Sequence, residues 1–541
     1  MKQSVVVQQG VDRLAIDCGD IRVKSEADGH TTLSAFGQDY RPAITYMCRG
    51  RRFTGGAGEQ QVTICEPGPI RAAIQVAGRC VADRGDPGIA YRLRLDLFAG
   101  LPTVVARVWF VHDIPQVASL PIENLRFTWS LPSHQRHHLV QTSHGLVGKP
   151  RFVSTPDEIR AAVGHDGATV WRLVDAAPLR DDTDYPPHMM PPCDQVSHWF
   201  GATGKHGWMA VAMDDIREML PKAMTLAPGR LDIELWPDFA GVMNLPQGRS
   251  RSVTVRFAFG PPSPTPTRQT FESSLATTSP EPVLADWPAD VSHGYFDLAE
   301  LLPHRAGDAQ RFDDYLRKCA CPPTVADFID LGDTPDPGYQ TTYLSTGRRL
   351  KPTVSDDELK AMQFHAGAHF AATPWSDFTQ YEQVWANNEY DVIWCIACEA
   401  LRSRRADMLR PLRWYARHAI EVDFVHYSDH RWKHRCTPAH SADHTFAGAY
   451  PSHFWTEGVL AWHLLSGDDD ALEFARGIGD KIIEFGSMVG ERKFSSSRKN
   501  WEHATLVEAV VNKAVSGSSS MVIDPNTGEV VDLANISKPL I

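Results

Sequence analysis

The apolar residues of this chain change period once along its length. Up to about residue 260 they alternate in short runs broken by Gly and Pro, and beyond about residue 290 they recur at helical spacing. Sheet and helix bury different faces, so the two halves need different cores. The reading that follows is a β part followed by an α part.

YRLRLDLF (91–98) shows the first period: Tyr91, Leu93, Leu95 and Leu97 face one way, and Arg92, Arg94 and Asp96 the other. SVTVRFAF (252–259) repeats it. The first half is therefore expected to be antiparallel, in two β domains over 1–115 and 116–268. PPSPTPTR (261–268) and PEPVLADWP (280–288) read as stiff connectors to a different domain.

Helical spacing marks 356–371, 388–403, 406–424, 452–467, 469–486 and 502–515. Gly467 supplies a helix stop and Asp468 and Asp469 an acidic start to the next helix, which predicts an antiparallel helical hairpin. Successive hairpins without a fixed-period repeat favour an incomplete (α/α) toroid over 285–516 rather than a TPR-like array. Residues 517–541 revert to turn chemistry and form a polar tail.

At 541 residues the chain has room for several cores. A net charge of −12 argues against general nucleic-acid binding. No stretch has the length of a membrane helix, and MKQSVVVQQG lacks a signal-peptide core, so no membrane and a cytoplasmic location are expected. The ten cysteines are scattered, and Cys395 and Cys398 fall inside an apolar helical pattern as core thiols.

HYSDHRWKHRCTPAHSADHTFAGAYPSH (426–453) has no period, yet it holds six histidines, two tyrosines, Trp432 and the cations Arg431, Lys433 and Arg435. Loops of that length tend to be functional. Upstream, Arg402, Arg404, Arg405, Arg410, Arg413 and Arg417 either add positive charge to the same region or coat a solvated helix face. WANNEYD (385–391) opens a helix, where backbone N–H groups and an Asn side chain could face an anion.

Three chemistries fit these residue types. In β-elimination from a uronic acid, a cation or amide neutralises the carboxylate, a base takes the C5 proton, and an acid protonates the leaving O4. A metal site could use His440 and His444, four apart, with His426, His430 or His434; Pro438 and the missing helical period weigh against it. No metal and no cofactor are expected. Glycoside hydrolysis would need two carboxylates from Glu389, Asp391, Asp443 and Glu457, but Asp391 and Glu457 sit where caps are ordinary. Trp432 is the aromatic placed to stack on a sugar ring.

The run EVDFVHYS (421–428), the His-rich loop and YPSHFWTEGVLAWHLLSGDDDALEFA (450–475), after WANNEYD, resemble the toroid of exo-rhamnogalacturonan lyase and YetA-like proteins. EPGPIRAAIQVAGR (66–79) with residues 91–113 is similar to that family's N-terminal RIFT-type β-barrel, and residues 216–259 to its central β-sandwich. The resemblance covers most of residues 10 to 510. Family members are longer at both ends of this pattern, so the resemblance implies either a shortened relative or an incomplete sequence.

The resemblance implies an exo-acting polysaccharide lyase that cleaves beside an acidic sugar, with an acidic oligosaccharide as partner. Arg435 and Asn388 would neutralise the carboxylate, His440 or His444 would be the base, and Tyr450 the acid. Tyr390, His426, Tyr427, His453, Trp432 and Lys222 would bind substrate. The alternatives are a hydrolase on a similar substrate and a carbohydrate-binding relative without catalysis.

Overall fold

The computed structural model describes, with short gaps, residues 5–173, 199–277, 328–336, 384–403, 408–437, 454–491 and 521–532. The chain divides into two compact units: Met1–Pro280 with Thr324–Ile329, and Glu281–Pro323 with Asp330–Ile541.

The first unit is antiparallel β. Arg71–Ala82 forms a hairpin with Pro87–Phe98, which pairs with Thr103–Val111. Thr103–Val111 in turn pairs with Ser250–Gly260, and that strand with Trp208–Met213. Gln38–Cys48 and Arg230–Trp236 flank Ser119–Ser130. Strands on both sides of residue 115 thus share ladders.

Alternation places the apolar face of Pro87–Phe98 as expected, with Leu95 and Leu97 fully buried. The charged face is covered too. Arg94 and Asp96 are both 5% exposed and meet Arg71 and Glu66, so two guanidiniums face two carboxylates. Arg92 lies over the Trp109 ring at 4.0 Å. Trp129, edge-on to Phe257 at 4.9 Å and to Phe127 at 5.5 Å, anchors the core. Each such fully buried aromatic ring contributes about 1.5–3 kcal/mol relative to exposure.

Helix α1 (Arg268–Ala276) starts at the end of the proline-rich connector. Thr267 and Thr270 form a reciprocal capping box at its N-terminus. Phe271 is fully buried against Trp199 and Trp208. The first connector therefore ends in a helix packed on the β unit.

In the second unit, α2 (Val392–Ser403), α3 (Leu409–His418), α4 (Glu457–Ser466) and α5 (Asp469–Glu491) share one core that includes Ile396, Leu412, Ile420, Trp462 and Phe474. Gly467 stops α4 with left-handed φ 69° and ψ 24°, its N–H donating to the His463 carbonyl at 2.7 Å. Asp469 and Asp470 open α5. Those helices match the helical period of the sequence. The segments at 356–371 and 502–515 lie outside the described residues. Two short ribbons, Pro335–Asp336 with Val384–Trp385 and Met521–Ile523 with Val530–Asp532, complete the description. Among the described residues no helix is long and apolar enough to cross a membrane.

Candidate functional site

Helix α3 does not end in an ordinary cap. It widens into a π-turn over Ala419–Asp423, closed by the Phe424 N–H on the Ala419 carbonyl at 3.0 Å. In an α-helix, residues five apart point about 140° away from each other. The wider turn rotates less per residue and brings Asp423 beside His418, with Nε2 to Oδ1 at 3.3 Å.

Asp333 reaches the same imidazole nitrogen from another segment, at 3.4 Å. Gly332 makes this approach possible. It has φ +96°, and a Cβ there would stand 2.1 Å from the Trp414 carbonyl oxygen. The neighbouring Leu331 carbonyl lies 3.2 Å from His418 Nδ1. A carbonyl only accepts, so Nδ1 donates and Nε2 is turned toward the two carboxylates. Burial opposes charge on His418, but Asp423 and Asp333 outweigh it and raise its pKa.

One residue earlier, Arg417 meets Glu421, Asp468 at 2.8 Å and Asp470 at 3.1 Å. Arg413 is buried as well, and the Arg410 guanidinium lies over Trp414 at 4.8 Å. Of the six upstream arginines, these described ones therefore serve the interior or a ring face and do not form a solvated charge stripe.

The His-rich stretch begins directly after the π-turn. Val425 and the pair Arg435–Cys436 close its base, with the Val425 N–H on the Cys436 carbonyl at 2.9 Å and the Arg435 N–H on the Val425 carbonyl at 2.8 Å. Between these bonds the chain presents Asp429, His430 and Arg431 as an exposed tip. His426 Nε2 lies 2.9 Å from the Ile420 carbonyl and its ring stands edge-on to Phe424 at 4.9 Å. Tyr427 donates to Asp429 at 3.1 Å and faces the His434 ring.

Helix α5 holds the loop from below. Arg431 pairs with Glu484, and buried Lys481 bridges the Arg431 carbonyl (2.8 Å) and Glu484 (2.6 Å). Arg435, at φ 57°, pairs with the exposed Asp480 at 3.3 Å. Burial first, then the charges of Lys481 and Arg435, lower the His434 pKa, so this imidazole is neutral at pH 7. His434 was not among the catalytic candidates read from the sequence. Only its placement beside two cations distinguishes it from its neighbours.

Asn388 sits at φ 56° before α2, its Oδ1 accepting from the Ile393 N–H at 3.5 Å. Asp391 joins two helix starts: Oδ1 accepts from Trp394 N of α2 at 3.2 Å and Oδ2 from Gly458 N of α4 at 2.9 Å. Burial pushes its carboxyl up to about 6 against those two donors. This is the capping role expected of Asp391.

Lys222 stands in the β unit, fully buried, with Nζ on the Leu235 carbonyl at 2.8 Å and 3.5 Å above the Phe328 ring. That position makes it a core cation, with its donor turned inward. His440, His444, Tyr450, Tyr390, Trp432 and His453 lie outside the described residues. In the helical core, burial raises the Cys398 thiol to about 12, which makes it an unreactive core thiol. The β unit also holds an open cavity of about 710 Å³, with Lys24, His30, Asp39, Arg41 and Tyr91 in its wall.

No protein-family model and no curated protein matches the chain. Among solved structures, an α-mannosidase from Enterococcus faecalis aligns with 51% of this chain and 32% of its own, at 10% identity and TM-score 0.31. This chain thus spans about a third of that enzyme. A putative aldose 1-epimerase from Klebsiella pneumoniae aligns with 50% of this chain and 85% of its own, at 8% identity and TM-score 0.30. A TPR-domain containing protein from Parabacteroides distasonis aligns with 96% of this chain and 90% of its own, at 10% identity and TM-score 0.31. Two of the three bear the names of sugar-processing enzymes, and at these identities and scores the likeness assigns the chain neither a family nor an activity.

Proposed function

We propose that the protein is an exo-acting lyase that cleaves an acidic, uronate-containing oligosaccharide by β-elimination, on a helical unit arranged as an incomplete toroid. The observation that carries this reading is the closed loop at 425–436. It joins two cations, Lys433 and Arg435, to a neutral imidazole, His434, and a phenol, Tyr427, within one short stretch. These are the group types the reaction asks for, and the motif resemblance around them supplies the substrate class.

In the proposed step a base removes the C5 proton, the electron pair forms C4=C5, and the C4–O4 bond breaks as an acid protonates O4. Arg435 binds the carboxylate and stabilises the charge that moves onto it. To do so it exchanges its exposed partner Asp480 for substrate, a low-cost exchange for a solvent-facing pair. Asn388, at the start of α2, is the second proposed carboxylate contact. The base is assigned to His440 or His444 and the acid to Tyr450. Tyr427 and His426 border the sugar.

Incubation with pectic, glycosaminoglycan and gum oligosaccharides, read by ultraviolet absorbance, tests the proposal. Appearance of the conjugated unsaturated uronate supports it. Saturated reducing ends would make the protein a hydrolase, and binding without turnover would make it a carbohydrate-binding protein. Arg435→Ala is expected to lower kcat/KM by about 10²-fold or more.

A further inference from the structure

We infer that Asp333, His418 and Asp423 form a binding site for one divalent transition ion, with zinc the ion that fits the donors. The site lies outside the proposed lyase chemistry, and neither reading depends on the other.

Geometry is the first support. The three donor atoms lie within 4.8 Å of one another, and the two measured edges from Nε2 are 3.3 and 3.4 Å. An ion held tetrahedrally at about 2.0–2.2 Å has donor-to-donor edges of about 3.3–3.6 Å. The imidazole is oriented as metal-bound histidines are: the distal Nδ1 donates to a backbone carbonyl, which fixes the tautomer and turns Nε2 to the ion. An imidazole among carboxylates favours zinc over calcium or magnesium, which take oxygen donors.

Construction is the second support. The π-turn and Gly332 are two departures from regular backbone, and each delivers one carboxylate to the same nitrogen. All three side chains are buried, with His418 and Asp423 1% exposed and Asp333 7%.

The bound ion would pin Leu331–Asp333 to the end of α3.

The test uses the full chain, stripped with a chelator and titrated with zinc chloride. The expected result is one zinc per chain, a higher Tm, and an X-ray absorption spectrum of nitrogen and oxygen donors with a single imidazole. Asp333→Asn and Asp423→Asn should each weaken zinc binding at least about tenfold. The double variant His440→Ala/His444→Ala should leave it unchanged. The inference is overturned if the stripped wild-type chain takes up no zinc. It is equally overturned if the spectrum shows several imidazoles or sulfur, or if zinc is lost in the His440/His444 variant and kept in the Asp variants. Should the Asp variants fail to fold, the wild-type spectrum decides alone.

Discussion

The two units differ in how their charged contacts are grouped. In the β unit, several sets are matched in number: Arg71 and Arg94 with Glu66 and Asp96, Arg79 with Asp113, Arg256 with Asp214. Lys222 donates to a carbonyl and lies over an aromatic face. In the helical unit, by contrast, Arg417 alone meets three carboxylates and His418 two more. At the end of α3, one guanidinium and one imidazole are each shared among several buried carboxylates. The difference directs attention to the end of α3.

Four substitutions can break or sharpen this contrast. Arg417→Ala should have the largest effect, about 3–5 kcal/mol lost in urea unfolding, because it removes the guanidinium that three buried carboxylates share. A loss below 1 kcal/mol would mean that those carboxylates reach water or are neutralised elsewhere. Gly332→Ala should follow at about 2–3 kcal/mol, since it combines a left-handed backbone with a clash on the Trp414 carbonyl. If its Tm matches wild type, the close approach of Leu331–Asp333 to α3 is wrong.

Asp391→Asn is expected to act through pH. The folded carboxyl sits at about 6 against an ordinary 3.8, so the folded state binds the extra proton. Stability from this group is complete below about 3.8 and is lost as pH rises through about 6. On acidification from pH 7 to 4 the wild-type chain should therefore gain on the order of 2 kcal/mol relative to Asp391→Asn. Parallel Tm-against-pH curves for the two proteins would dismiss the claim. Arg79→Ala, which removes a half-exposed guanidinium from Asp113, should cost about 1 kcal/mol or less. A cost equal to that of Arg417→Ala would erase the contrast between the units.

Much of the fold was legible because it follows from local period. The alternation at 91–98 located the apolar face of its strand, and helical spacing with Gly467 located α4, α5 and the turn between them. The partly described loop at 426–437 was legible as non-periodic and basic. Its closure by Val425 with Arg435 and Cys436 was not, because two backbone hydrogen bonds leave no mark in side-chain type. Asn388 and Asp391 illustrate a residue type read for two roles. Asp391 is a cap, as helix-start chemistry suggests, yet the second helix it caps, α4, lies far along the chain, where Gly458 N–H donates to it.

By itself, then, the sequence determined the order β then α, the helix stops, and the location of the imidazole-rich stretch, all properties of neighbouring residues. Tertiary structure alone decided that Thr103–Val111 pairs with Ser250–Gly260, that Lys222 points inward, and that Asp333 and Asp423 converge on His418. The reason is physical. A strand ladder, a buried cation and the meeting of Asp333 with His418 depend on groups brought together across the chain, and the energy that selects them comes from desolvation and charge pairing rather than from local propensity.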